Sequence, residues 1–195
     1  MNAVAEMTAI TPETLLAMPD EKDFELVKGE LVERNMGSMS SWVASELLFL
    51  LRYYLKDHPI GLVFGADNGF QCFPDDPRKV RKPDVSFVRG DRLPGGIPPE
   101  GYLKVAPDLA VEVLSPNDLA IDVDRKVAEY LGAGVGLVWV VNPDVRIVRA
   151  HRPGGASAWL TEHDQLVGDD VLPGFSISVA ALFPARPGGA PPARS

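Results

Sequence analysis

The segment LAVEVL at residues 109–114 constrains the fold most strongly, because it is apolar on both faces and yet contains Glu112. A run of this kind is typical of a central strand in a sheet that is covered on both sides. An ionised carboxylate at such a position is costly unless it is ion-paired, hydrogen-bonded or bound to a metal. The segment therefore predicts a central strand whose glutamate has a specific partner.

Two aspartates in Pro-Asp pairs are candidates for that partner, Asp84 in KPDVSFV and Asp108 in PDLAVEVL. Asp108 lies on the same strand as Glu112, and at roughly 3.3 Å per residue their α-carbons are about 13 Å apart. Carboxylates that share a hard cation bind it at about 2.0–2.6 Å, so Asp108 is too distant. Asp84 begins another strand, and cross-strand neighbours have β-carbons about 5 Å apart. If strands 84–88 and 108–114 pair, Asp84 and Glu112 face one site.

Two simpler interpretations leave Glu112 without a catalytic role. In the first, the carboxylate forms a structural salt bridge with a lysine or an arginine. In the second, its strand lies at an edge of the sheet and the carboxylate is in water. The residue pattern alone leaves both interpretations open beside a metal site.

A helix is predicted over residues 119–131, directly after the Glu112 strand, with Gly132 just past its end. Lys126 lies beside the apolar stripe of this helix, and Asp122 and Tyr130 fall four residues before and after it. Periodicity alone favours an exposed Asp122–Lys126 ion pair over a catalytic lysine. The apolar stripe consists of Leu119, Val123, Val127 and Leu131.

The remaining pattern predicts an α/β domain around one mixed sheet. Residues 11–184 form this single domain, preceded by a flexible N-terminus at 1–10 and followed by a disordered Pro/Gly-rich tail at 185–195. The predicted elements are a helix at 12–18, a hairpin in FELVKGELVER, a long helix at 40–56, strands near 61–66, 69–73, 84–88 and 108–114, a hairpin around Asn142–Asp144, and strands near 157–161 and 175–178.

Charge and composition exclude several classes of protein. A net charge of −8 argues against a broad nucleic-acid-binding surface, although DDPRKVRKPD brings Arg81 and Lys82 to a strand entrance as candidate phosphate contacts. A solvated loop explains these cations equally well. The single cysteine agrees with a reducing cytoplasm, and the histidines have no zinc-ligand spacing. We expect no membrane span and no secretory signal.

The chain resembles the PD-(D/E)XK nuclease superfamily through Pro83-Asp84, Glu112 in an apolar strand, and a following lysine. From about Thr11 to Pro184 it is similar to the restriction-endonuclease-like family called Uma-two. Six motifs in order carry the resemblance: FELVKGELVE, KPDVSFV, PDLAVEVLSPND, DVDRKVAEYLGAGV, LVWVVNP and LPGFSISVAALF. It implies a restriction-endonuclease-like core, a mixed sheet flanked by helices, with an added N-terminal hairpin and C-terminal strands.

The resemblance also implies a site. Asp84 and Glu112 would bind Mg²⁺ or Mn²⁺ together with the backbone carbonyl of Val113, and Lys126 would be the catalytic lysine. The superfamily's lysine normally lies two residues after the glutamate, where this chain has Leu114. Two further acids support the site, first Glu30, which matches a recurrent family acid, and second Glu25. Many relatives have a histidine before the long helix, where this chain has residues 38–41, Ser-Met-Ser-Ser.

The expected function is that of a metal-dependent endonuclease that hydrolyses DNA phosphodiester bonds. Two alternatives stay open: a catalytically inactive nuclease fold used as a binding or scaffold protein, and a hydrolase of RNA or another phosphodiester. The acidic charge and the displaced lysine favour the first alternative. A homodimer is also expected, because the helix at 40–56 is apolar nearly all round, although complete burial within one monomer would explain this too.

Overall fold

The computed structural model describes residues 9–35 and 37–186. The predicted flexible N-terminus and disordered tail lie almost entirely outside the described residues. Within these residues, three α-helices, α1–α3, and ten strands, β1–β10, follow in chain order: α1 Pro12–Leu16, β1 Phe24–Val27, β2 Glu30–Glu33, α2 Ser38–Asp57, β3 Gly61–Gly65, β4 Val85–Arg89, β5 Leu109–Val113, α3 Ala120–Gly132, β6 Leu137–Asn142, β7 Ile147–His151, β8 Ser157–Leu160, β9 Gln165–Val167 and β10 Ser176–Ser178. None of the helices in these ranges is long and apolar enough to cross a membrane.

A six-stranded mixed sheet forms the centre of the fold, in the order β3-β4-β5-β6-β7-β8. Strands β5 and β6 are parallel, whereas the other neighbouring pairs are antiparallel. The parallel pair is joined through α3, as the βαβ rule requires for parallel neighbours. The predicted mixed α/β architecture is therefore confirmed, and the strand that carries Glu112 is central.

Two helices cover opposite faces of this sheet. Val111 and Val113 of β5 pack in the cluster that contains the buried side of α2. Ala110 packs on the other face, in the cluster that contains Val123 and Val127 of α3. Successive side chains of a strand alternate between faces, so Glu112 points to the same side as Ala110, toward α3. This alternation decides which helix can supply a partner for the glutamate.

The predicted N-terminal hairpin is present as β1 and β2. Its two-residue turn is Lys28-Gly29, and both residues have positive φ, 53° and 80°. Such angles match the primed turn that suits the twist of a hairpin, and glycine adopts them without strain. The carbonyl of Val80 accepts from the backbone N–H of Leu26, and Val80 donates in return. The hairpin is thus tied to the segment just before β4.

One predicted element is absent from the structure, and one observed element has no counterpart in the prediction. Residues 69–73 do not form a strand: Phe70 makes isolated bridges to Arg81 on one side and Leu103 on the other. Neither bridge continues into a ladder, so the segment around Phe70 is held at one residue on each side. The short strand β9 was not predicted, and it pairs with β10 in a separate two-stranded sheet.

Candidate active site

Glu112 lies in the central strand with both carboxylate oxygens hydrogen-bonded. The hydroxyl of Tyr130 donates to its Oε1 at 2.7 Å, and the ammonium of Lys126 donates to its Oε2 at 2.9 Å. Both donors are on α3, one turn apart, which places them on one side of the helix. The edge-strand interpretation of Glu112 is wrong, and the carboxylate is held in place from one helix.

Asp84 lies opposite Glu112 on the neighbouring strand. The antiparallel register pairs Val85 with Val111, and the N–H of Asp84 donates to the carbonyl of Val111 at 2.9 Å. Asp84, one residue before Val85, therefore lies opposite Glu112, one residue after Val111. The Asp84 carboxylate accepts from the N–H of Val113 at 2.7 Å and from Arg34 at 3.4 Å. The strand pairing on which the predicted site depends is therefore present.

The environment of Asp84 disfavours its charged form. Burial, and next the neighbouring carboxylate of Glu112, raise the pKa of Asp84 to about 7. The N–H of Val113 and the cations Lys126 and Arg34 act in the opposite direction but do not compensate. The nearby cations therefore do not neutralise the two adjacent carboxylates. A divalent cation bound between them would supply the missing positive charge.

This shift gives the metal-free protein a characteristic pH dependence. Because the pKa of Asp84 rises from 3.8 to about 7, the folded protein keeps a proton that the unfolded chain releases in that interval. The contribution of Asp84 to stability is therefore complete below pH 3.8 and is lost as the pH rises to about 7. Urea denaturation in EDTA across the interval measures it.

Asp84→Asn provides the reference for that measurement, because the amide does not titrate. Relative to this variant, the wild type is expected to lose unfolding free energy steadily as the pH rises. A wild type that gains stability relative to Asp84→Asn over the same interval would contradict the raised pKa.

Lys126 reaches the site from α3, as the resemblance implied. Its ammonium lies 2.9 Å from Glu112 Oε2 and 3.3 Å from Glu25 Oε2. Burial lowers the pKa of Lys126, but the carboxylates of Glu112 and Glu25 outweigh burial and raise it above its usual value. The lysine is therefore charged at neutral pH. The exposed Asp122–Lys126 pair favoured by periodicity is wrong, because Asp122 pairs with Arg125 at 2.6 Å.

Glu25 completes a buried network of charges behind the site. Its Oε2 lies 2.8 Å from Arg81, whose guanidinium also contacts Glu129 of α3 at 2.7 Å. Burial alone would raise the pKa of Glu25, but Lys126 and then Arg81 lower it to about 2. Arg81 thus joins the N-terminal hairpin to α3 through two buried ion pairs.

The basic segment before β4 is not an exposed patch. Lys82 is buried, and its ammonium contacts the carboxylate and the carbonyl of Glu21, each at 2.6 Å. Arg81 is buried between Glu25 and Glu129. The alternative of a solvated loop is wrong, because these two cations are buried and pair with carboxylates. Both residues line the cleft, and their role as phosphate contacts stays a prediction.

Of the two predicted supporting acids, Glu25 lies at the site and Glu30 does not line the cleft. Glu30 is exposed at the first position of β2, opposite Val27, and is not among the residues that line the cleft around Glu112. Glu25 is buried beside Lys126. Asp108 accepts from the N–H of Arg89 and the guanidinium of Arg92, each at 2.8 Å, at the other end of β5. Its interpretation as the polar start of a strand fits these contacts.

The residues at the site are compatible with a magnesium ion. Asp84 and Glu112 supply hard, anionic oxygen ligands, and both line a cleft of about 380 Å³. Within residues 9–35 and 37–186, there is no group of three or more His, Cys, Asp or Glu side chains that could hold a metal ion. Mg²⁺ commonly uses one or two carboxylates and takes its other ligands from water and substrate phosphate. The carbonyl of Val113 as a third ligand stays a prediction.

Sequence reasoning did not assign roles to Tyr130 and Arg34. Tyr130 lies one turn after Lys126, so the helical spacing that placed it beside the lysine was a usable signal. Arg34 follows β2 and reaches Asp84 from a segment 50 residues away, which the hydrophobic pattern does not encode. The site thus combines side chains from the hairpin, two neighbouring strands and α3.

Comparison with known proteins identifies the fold and the family of the chain. A solved structure, "a putative nuclease belonging to DUF820 from Anabaena variabilis ATCC 29413", matches with a TM-score of 0.75 and 22% identity over 89% of this chain and 97% of that chain. At this identity the likeness shows the fold alone, and it confirms the predicted nuclease-type fold. A search of curated proteins found no match. The model of the Uma2 family, described as "Putative restriction endonuclease", matches residues 12–180. Since this match spans most of the chain, the protein belongs to the Uma2 family.

Proposed function

We propose that the protein is a Mg²⁺- or Mn²⁺-dependent endonuclease that hydrolyses DNA phosphodiester bonds. The observation that carries the proposal is the position of the Lys126 ammonium, 2.9 Å from the Glu112 carboxylate and on the same side of the sheet as Asp84. Two carboxylates at one cleft can hold a metal ion that hydrolyses a phosphodiester, and an ammonium beside them can stabilise the charge that builds on the phosphate. Membership of the Uma2 family supports the same reading.

The side chains would divide the chemistry as follows. Asp84 and Glu112 would hold the ion, which when bound supplies an activated water and positive charge at the scissile phosphate. The Lys126 ammonium would add a second positive charge where negative charge accumulates on the phosphate oxygens. Glu25 would keep that ammonium in place without contacting the substrate. Arg34 and Arg125 line the same cleft and would attract the phosphate backbone on either side of the scissile bond.

The proposal also includes a homodimer and a cytoplasmic location. Two copies, each with one cleft, would let the protein cut both strands of a duplex. The single cysteine suits the reducing cytoplasm, and burial raises the pKa of its thiol to about 11, which keeps it unreactive.

Nicking of supercoiled plasmid tests the activity. We expect conversion to open circles in Mg²⁺ or Mn²⁺ and none in EDTA, with RNA and small phosphodiesters as parallel substrates. Cleavage of RNA but not DNA would support the alternative hydrolase. Failure to cut every substrate would overturn the nuclease and favour the scaffold protein, which the net charge of −8 already suits.

Removing the hydroxyl of Tyr130 should weaken the site without disturbing the fold. Tyr130→Phe keeps the ring but takes away the donor to Glu112 Oε1. Groups that orient a metal-binding carboxylate typically contribute about 10–100-fold to metal affinity or activity. We expect an effect of this size in calorimetric titration with Mn²⁺.

Tyr54→Phe is the matched control. The hydroxyl of Tyr54 donates to the carbonyl of Pro173 at 2.7 Å and is not among the groups that line the cleft. Equal Mn²⁺ affinity in the two variants would show that Tyr130 does not orient Glu112.

A further inference from the structure

The outer side of α2 exposes a row of large apolar side chains. Met39, Trp42, Phe49 and Tyr53 are 47%, 42%, 58% and 61% exposed. The opposite side of the helix, including Val43, Leu47 and Leu51, is buried against the sheet. The apolar residues all round this helix therefore form two separate surfaces. One surface packs in the core, and the other faces outward.

The spacing of the exposed row is that of a helix that packs against another helix. Its positions are Met39, Trp42, Glu46, Phe49, Tyr53 and Lys56, separated alternately by three and four residues. This alternation is the heptad pattern of apolar seams between long helices. Each aromatic side chain carries about 150–250 Å² of surface, so the row exposes on the order of 400 Å², and a symmetric pair would bury about 1,000 Å² with flanking atoms. That total meets the roughly 1,000 Å² expected of a biological interface and is typical of a weak, reversible dimer.

The charges along the row are arranged for an antiparallel neighbour. The N-terminal half carries Glu46, whereas the C-terminal half carries Arg52 and Lys56, with Asp57 at the end of the helix. Trp42 and Lys56 are each seven residues from Phe49, on opposite sides of it. A two-fold axis that passes beside Phe49 therefore sets the acidic half of one helix against the basic half of the other.

We propose that a second copy of this chain docks on α2, antiparallel and centred on Phe49. Across the axis Phe49 meets its own equivalent, and Trp42 lies under the ammonium of the second copy's Lys56 in a cation–π contact. The carboxylate of Glu46 accepts a hydrogen bond from the hydroxyl of the second copy's Tyr53. The interface is self-complementary, which an unrelated apolar partner would have no reason to match. The inference rests on the proposed homodimer but does not depend on nuclease activity.

Sedimentation of Phe49→Lys tests the surface. Because Phe49 faces its own equivalent, the substitution brings two ammonium groups together at the centre of the interface. We expect the wild type to be a dimer at tens of micromolar and the dissociation constant to rise at least about 30-fold in the variant. Trp159→Lys is the matched control, because Trp159 is 64% exposed on β8, at the far edge of the sheet from β3. A monomeric wild type, or a dimer that Phe49→Lys leaves intact, overturns the proposal.

Disulfide trapping tests the orientation, with Cys72 replaced by serine throughout. Phe49→Cys should cross-link to its own equivalent. Trp42→Cys and Lys56→Cys should each fail alone, because seven residues on each side of the axis separate the equivalent positions by about 21 Å, beyond the roughly 4.4–6.8 Å that a disulfide allows between α-carbons. A mixture of these two variants should cross-link. Cross-linking of each variant alone would show parallel helices and overturn the register.

Discussion

Replacing Glu112 with glutamine, or Asp84 with asparagine, is expected to lower the rate of Mg²⁺-dependent plasmid nicking by roughly 1,000-fold, the upper range for one electrostatic group in an active site. Each variant keeps the size of the side chain and its capacity to accept a hydrogen bond. Glutamine still accepts from Tyr130 or Lys126, and asparagine still accepts from the N–H of Val113. What is lost is one of the two negative charges that would hold the ion.

Asp108→Asn is the control for both variants, since Asp108 belongs to the second Pro-Asp pair of the chain. Its carboxylate contacts Arg89 and Arg92 at the other end of β5, so nicking should continue at the wild-type rate. If Glu112→Gln and Asp84→Asn nick DNA as fast as the wild type, the site assignment is wrong although the nuclease activity stands. Calorimetry with Mn²⁺ gives a second readout, because both variants should bind the ion more weakly.

Arg81→Met is expected to cause the largest loss of stability. The guanidinium of Arg81 is 5% exposed and lies 2.8 Å from Glu25 and 2.7 Å from Glu129. Without Arg81, Glu25 keeps the Lys126 ammonium at 3.3 Å as its cationic partner, and Glu129 keeps the Lys79 ammonium at 3.2 Å. Removing one partner of a buried ion pair typically costs about 3–5 kcal/mol. For a chain of this size, a loss of that order lowers the melting temperature by about 10 °C. Urea denaturation gives the free energy directly.

Arg89→Met is the matched control for stability. The Arg89–Asp91 pair is exposed on both sides, 51% and 65%, and such pairs contribute about 0–1 kcal/mol. A triple variant that also carries Glu25→Gln and Glu129→Gln should recover part of the loss, because no buried carboxylate then lacks its partner. Equal destabilisation by Arg81→Met and Arg89→Met would contradict the role of Arg81 as the link between the hairpin and α3.

The central part of the site could be predicted because strand geometry is simple. The unbroken apolar run around Glu112 indicates that the carboxylate needs a partner. The separation along one strand and the cross-strand spacing then select Asp84 over Asp108, and the observed register agrees. The face of the sheet on which Glu112 lies also follows from alternation. Lys126 is different. Helical periodicity alone favoured an exposed ion pair with Asp122, and only the family resemblance pointed to the lysine.

The sequence around the two hairpin acids, Glu25 and Glu30, already distinguishes a buried position from an exposed one. Glu25 is surrounded by apolar neighbours in FELV, as Glu112 is in LAVEVL, whereas Glu30 directly follows a two-residue turn. A carboxylate in an apolar strand needs a partner, which favours Glu25 over Glu30 as the buried acid. The resemblance ranks Glu30 first, whereas the structure places Glu25 beside Lys126 and Glu30 away from the cleft. The burial of Arg81 and Lys82 could not be predicted, because charge in a loop resembles a solvated surface until tertiary partners such as Glu21 and Glu129 are known.

The position of the lysine on a helix has a consequence for recognising similar proteins. Position 114 is leucine, and the ammonium reaches Glu112 from a residue 14 positions further along the chain. The number of residues between the strand and the helix is free to change, provided that the helix docks in the same place. A sequence motif that requires a lysine two residues after the glutamate does not detect such chains. A search for an ammonium within hydrogen-bonding distance of a central-strand glutamate would find them.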